Sequence, residues 1–185
     1  NDRGGQTYSQ HLVVTETMPD GTKATIDLSK LGTSPFQPKN RPQNLKLTMK
    51  KKIDFCLIVE SEGTANTLVA NGFNKRNNAI VLGAQGVPSN AVRGWCKLIQ
   101  DQLKVPLYFF GDLDAYTMQN IYRTLKAGSA ASLIRNSDYS APDVRFLGVL
   151  PEDIKKYDLD DYPVKESDPQ EMRSLKKAAD AMKND

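Results

Sequence analysis

Three acidic side chains stand where long apolar runs stop. Glu60 closes IDFCLIVE, Asp112 and Asp114 close VPLYFFGDLD, and 51 residues separate Glu60 from Asp112. A carboxylate ending an apolar strand is costly unless it meets water or a cation. Side chains at i and i+2 of a strand point the same way, so Asp112 and Asp114 present two hard oxygen ligands on one side. Glu60, leaving a neighbouring strand, supplies a third. Oxygen donors with no His or Cys beside them suit Mg²⁺, one ion or two, which keeps several waters and takes few protein ligands. Such an ion serves phosphodiester chemistry by neutralising a phosphate and stabilising an attacking or departing oxygen. The competing reading is that the acids cap the helices that follow, where negative charge at an amino terminus is worth about 0.3–1 kcal/mol.

Other chemistries fit less well. A phosphatase in which the first Asp of DLD attacks phosphorus wants a Thr two residues after the second Asp, but Tyr116 stands there and Thr117 comes one later. The GAQG after Leu82 lacks the Lys-Ser/Thr that completes a triphosphate-binding loop. Cys56 and Cys96 lie forty residues apart with His11 as the one imidazole, which is no zinc spacing. Both are read as buried, reduced thiols, and His11 as a strand residue. Tyr8, in GGQTYSQ, lacks the basic setting of an attacking phenol.

The elements that must position the acids follow from periodicity. HLVVTET, the turn Pro19-Asp20-Gly21 and TKATIDL form a β-hairpin, and the proline-rich GTSPFQPKNRPQN reads as a linker. Strand and helix then alternate: IDFCLIVE into EGTANTLVANGF, with Gly72 just past the helix end; NAIVLG into a helix opened by Pro88-Ser89 and running to about Leu103; VPLYFFGDLD into AYTMQNIYRTLKAGS. AASLI, VRFLGVL and PEDIKKY follow, and a Pro-started helix over about 169–183 carries a thin apolar stripe of Met172, Leu175, Ala179 and Met182. Strands apolar throughout predict an α/β class, a mainly parallel sheet covered by helices on both faces. The expected division is a hairpin and linker over 1–45 and the α/β domain with a C-terminal helical extension over 46–185.

With 185 residues, 39% hydrophobic and 25% charged, the chain has the composition of a folded domain. No apolar run approaches the ~18 residues of a membrane span, and the first residues show no signal-peptide pattern, so an intracellular location is expected. The net charge of +3 conceals an asymmetry: residues 1–150 carry 18 basic and 12 acidic side chains, whereas 151–185 carry 7 and 10. A basic body suits a polyanion. The stretch Lys39, Arg41, Lys46, Lys50, Lys51, Lys52 has no acid in fourteen residues and reads either as a DNA track or as a strand edge kept from self-pairing by its lysines.

Glu60 and DLD on alternating strands and helices resemble the Toprim fold of topoisomerases, primases and related nucleases. The finer resemblance is to the A subunit of topoisomerase VI, the type IIB enzyme, and its relatives that make meiotic double-strand breaks. It rests on VESEGTANTLVANGF, IVLGAQGVPSNAVRGW, PLYFFGDLDAYTMQNIYRTLKAGS and SAPDVRFLGVLPEDIKKYDL, over about residues 53–159, with TIDLSKLG upstream. That family usually reads Asp-x-Asp-Pro-Tyr-Gly, whereas this chain has Ala115 and Thr117 in place of the proline and the glycine, which leaves the shape of that turn open.

The resemblance implies that Glu60, Asp112 and Asp114 are the catalytic acids and the Mg²⁺ ligands. It also puts Arg93 and Lys126 at positions that carry basic residues in the family and could meet DNA phosphates. The family's winged-helix domain, bearing the tyrosine that attacks DNA, would lie outside this chain, which by itself would bind metal without cutting. The implied partners are double-stranded DNA, an ATP-binding B subunit, and a second copy of the A subunit in a homodimer. The implied location is on the chromosome. The implied activity is tyrosine-mediated double-strand cleavage and religation. Alternatives are a meiotic break-forming relative, a stand-alone Toprim nuclease or primase-like protein, and a non-catalytic DNA-binding or dimerisation module.

Overall fold

A computed structural model of the chain describes residues 4–38, 44–114, 116–128 and 139–159. At its centre is β5 (Phe55–Val59), whose aromatic and branched residues suit a pleated, doubly covered surface. It pairs in parallel with β6 (Ala79–Gly83) on one side and β7 (Leu107–Phe110) on the other. β8 (Arg145–Leu147) adds in parallel to β7. β1 (Gln6–Tyr8) closes the opposite edge as an antiparallel partner of β6, giving the order β1-β6-β5-β7-β8.

Helices cover both faces, as the apolar strands require. From β5 the chain passes through α1 (Glu62–Ala70) and α2 (Phe73–Arg76) to β6, and from β6 through α3 (Asn90–Leu103) to β7. Since β6 and β7 flank β5 on opposite sides, right-handed crossovers must place these helices on opposite faces. Accordingly Leu57, Val59 and Val81 pack with Ala65, Leu68, Val69 and Phe73 on one face. Cys56, Ile58, Ile80 and Leu82 pack with Val92, Trp95, Cys96 and Ile99 on the other. Ser61 Oγ accepts from the Thr64 N–H at 3.1 Å to start α1, and Ser89 Oγ from the Val92 N–H at 3.2 Å to start α3. Gly72, at φ 74°, turns the chain in the left-handed conformation between α1 and α2.

The predicted hairpin is present as β2 (Leu12–Thr17) and β3 (Lys23–Asp27), but it is not a two-stranded appendage. β4 (Leu45–Met49), from beyond the proline-rich stretch, pairs with β2 to make a three-stranded antiparallel sheet of order β3-β2-β4, and β1 enters the main sheet. Strands from both sides of residue 45 therefore share each sheet. The buried face of the small sheet, Leu12, Val14, Leu45 and Leu47, joins the core that contains Trp95, Ile99 and Leu103. Helix α3 thus lies between two sheets, which is why its buried residues run without break from Ala91 to Cys96.

After β7 the expected helix forms, with its first part wound as a π-helix over Thr117–Tyr122 before α4 (Arg123–Ala127). PEDIKKY forms α5 (Pro151–Tyr157), with the proline at its first position. AASLI, the helix expected over 169–183, Lys39 and Arg41 lie outside the described residues.

Gln102, near the end of α3, accepts from the Leu47 N–H at 2.7 Å and donates to the Leu45 carbonyl at 3.1 Å, satisfying the outer edge of β4. It protects that edge more directly than the exposed Lys46 does, and Lys50 and Lys52 are paired with Asp27 and Asp54. Gln102→Ala leaves the Leu47 N–H without its partner, at an expected cost of about 1–3 kcal/mol, read as a lowered urea midpoint with an unchanged slope.

Candidate metal site at the strand exits

β5 and β7 are neighbours whose onward connections run in opposite directions, so their carboxyl ends border a topological switch point, where open α/β sheets bind ligands. Glu60 and Asp112 lie there. The Glu60 N–H donates to the Phe110 carbonyl at 3.0 Å and its carbonyl accepts from the Gly86 N–H at 3.0 Å, which extends the ladder one residue past the strand. Its main chain is thereby fixed from both sides.

The Glu60 carboxylate faces the turn after β7. Its Oε2 accepts from the Asp112 N–H at 3.3 Å, and the Thr117 hydroxyl lies 3.1 Å from both Oε1 and Oε2. Asp114 Oδ1 accepts from the Thr117 N–H at 2.7 Å, while its carbonyl accepts from the Met118 N–H at 3.0 Å. The cap expected of such an acid therefore exists at Asp114, and Thr117 links that acid to Glu60. Asp112 and Asp114 are exposed. Among the described residues no three His, Cys, Asp or Glu side chains form a ready-made metal cage. In type, the donor set of hard carboxylate oxygens fits Mg²⁺.

Gly111 explains how the turn comes so near. A Cβ at this position would stand 2.7 Å from Glu60 Oε2 and 2.7 Å from the Phe109 ring. Beside the acids a cleft of about 440 Å³ is walled by Phe110, Leu113, Val149, Ile154 and Leu159. Neither Gly111 nor Thr117 stands out as a site residue in the sequence, because close approach and a hydroxyl reaching across strands leave no local pattern.

A second polar group surrounds Glu62, two residues on. Its carboxylate accepts from Gln6 Nε2 and, at 2.7 Å, from Gln85 Nε2. The Tyr8 phenol hydrogen-bonds Gln6 Oε1 at 2.9 Å and Asn66 Oδ1 at 2.7 Å. Burial, and secondarily the charge of Glu62, push the Tyr8 phenol above its ordinary range, the opposite of what a nucleophile needs. Gln6, Tyr8 and Glu62 thus clasp β1 to α1.

Arg93 does not occupy an exposed DNA-facing position. It is 3% exposed, its Nε donates to the Tyr139 carbonyl at 2.9 Å, and its guanidinium lies 5.9 Å from the Tyr139 ring. The side chain is spent on holding the segment before β8, for the physical reason that α3 is enclosed by two sheets. The Lys126 ammonium lies 5.7 Å from the Tyr122 ring centre. The two cysteines are free and buried, and burial raises both thiols, Cys96 to about 12.

The sheet and the acids at its exits define a Toprim domain, and residues 55–185 match the family described as the Toprim domain of the topoisomerase 6 A subunit/Spo11. The chain belongs to that family. The A subunit of type 2 DNA topoisomerase 6 from Methanocaldococcus jannaschii is 35% identical over all 185 residues, which is 47% of that protein. That of Natronomonas pharaonis is 29% identical over 90% of this chain and 45% of its own length. That of Halobacterium salinarum is 34% identical over 75% and 37%. The chain spans less than half of the length of these relatives.

Gly111→Ala puts a methyl group into the Glu60 carboxylate and the Phe109 ring. The expected loss is about 1–3 kcal/mol of stability, measured by denaturant unfolding against wild type.

Proposed function

We propose that Glu60, Asp112 and Asp114 hold Mg²⁺ and that this region is the metal-binding half of a topoisomerase VI-type cleavage and religation site. The observation that carries this reading is the approach of the turn after β7 to Glu60, with the Asp112 N–H 3.3 Å from Glu60 Oε2 at the switch point. The bound ion would supply charge neutralisation of a DNA phosphate and of the oxygens exchanged at phosphorus.

This chain's own groups bind and orient. Glu60, fixed through its backbone, sets one side of the site, and the exposed Asp112 and Asp114 close the other. Asp114 needs only a side-chain rotation to exchange the Thr117 N–H for a cation. No tyrosine among the described residues is placed to attack: Tyr8 is buried in the Glu62 clasp, and the phenol must come from elsewhere in the full-length protein. The relatives are named as A subunits of topoisomerase 6, which supports double-stranded DNA as substrate and work at the chromosome. The same names support two partners, an ATP-binding B subunit, and a second copy of the A subunit. Among the described residues no helix is long and apolar enough to cross a membrane. Lys126, partly exposed on α4, remains in this reading as a phosphate contact, whereas Arg93 acts as a brace.

Isothermal titration with Mg²⁺ or Mn²⁺ is expected to give a binding signal with the wild-type chain that disappears in Asp112→Ala/Asp114→Ala. Equal signals from the two proteins would remove the acids from the role of ligands.

A further inference from the structure

Thr117 is 1% exposed, yet both of its polar groups are committed to the acids. Its hydroxyl lies 3.1 Å from each carboxylate oxygen of Glu60, and its N–H donates to Asp114 Oδ1 at 2.7 Å. A threonine hydroxyl carries a single proton, and here that proton is shared between the two oxygens of one carboxylate. Any residue other than proline at this position provides the N–H. Only a hydroxyl-bearing residue of this size provides the contact to Glu60, and the glycine of the Asp-x-Asp-Pro-Tyr-Gly pattern would not. The π-winding of Thr117–Tyr122 begins at this residue, and single π turns inside helices are often found at functional sites.

Two features make the contact more than a helix cap. Glu60 has a backbone that cannot move but a side chain with several rotatable bonds, so something must choose its rotamer. The Asp112 N–H touches only Oε2, at 3.3 Å, whereas the Thr117 hydroxyl engages both oxygens from the protein side. That leaves the lone pairs opposite Thr117 to face the turn that carries Asp112.

We propose that Thr117 is a positioning residue, which through its hydroxyl holds the Glu60 carboxylate in the orientation that receives the divalent cation. The inference rests on the metal reading given above. Partners that orient a metal ligand from behind typically change affinity by about 10–100-fold when removed.

The test uses the 185-residue chain and Mn²⁺ alone, with binding followed by the loss of the free-ion electron paramagnetic resonance signal and repeated with Mg²⁺ by calorimetry. Thr117→Val keeps the buried shape and removes the hydroxyl; Thr117→Ser keeps the hydroxyl and removes the methyl group. Melting in EDTA establishes that each variant is folded. The expected result is a Mn²⁺ affinity lowered about tenfold or more in Thr117→Val and within about twofold of wild type in Thr117→Ser. Equal affinity of Thr117→Val and wild type overturns the proposal. So does an equal fall in both variants, which makes the role one of packing, or tighter binding by Thr117→Val, which makes the hydroxyl a competitor of the ion. No binding by wild type, with Glu60→Gln indistinguishable from it, strikes the metal assignment itself.

Discussion

The main chain of Glu60 is tied on both sides, its N–H to Phe110 of β7 and its carbonyl to Gly86 after β6. Parallel ladders have slanted bonds that let one residue of a central strand bridge both neighbours. The pairing that builds the sheet therefore continues one step beyond the apolar strand and ends on a carboxylate. Everything else at the site is adjusted to that fixed point. Gly111 admits the turn after β7, the Asp112 N–H meets the carboxylate, and Thr117 closes on it from a helix whose first turns are widened.

Such an arrangement needs a rigid support, and the support is apolar. Ile58, Ile80, Leu82 and Phe109 are fully buried, each worth about 1.5–3 kcal/mol relative to exposure. The helices that cover them are placed by handedness: the chain leaves β5 in one direction and β7 in the other, so the faces fill alternately and a crevice opens between the two exits. Charged groups at that crevice are exposed where they stand on the turn, at Asp112 and Asp114, and hydrogen-bonded where they stand on the sheet, at Glu60.

Local pattern made the main strands and helices readable, since unbroken apolar runs ending in Ser-started or Pro-started helices admit few other folds. The three acids were readable for the same reason, standing where those runs end. Pairings between distant segments were not. β1 is three residues long, QTY, and takes its strand character from β6, far along the chain; β4 joins the hairpin across a proline-rich stretch that reads as a boundary. Arg93 reads as a surface cation because helix periodicity says nothing of a second sheet covering the other side. Thr117 reads as a departure from a family pattern, and its contact with Glu60 depends on how the turn folds back in space.

The position of α3 has one more consequence. Trp95 and its neighbours are at once the floor of the small sheet and the cover of one face of the large one, and Phe36 packs against that indole at 5.2 Å. The small sheet has no other interior into which to place Leu12, Val14, Leu45 and Leu47. Peeling it away would strip water-exclusion from the helix that also shields Cys56 and Ile58, so the two sheets share a single melting event and amides in β2 should exchange with solvent on the same clock as those in β5. A region that looks peripheral along the chain is, in the energetics of opening, part of the centre.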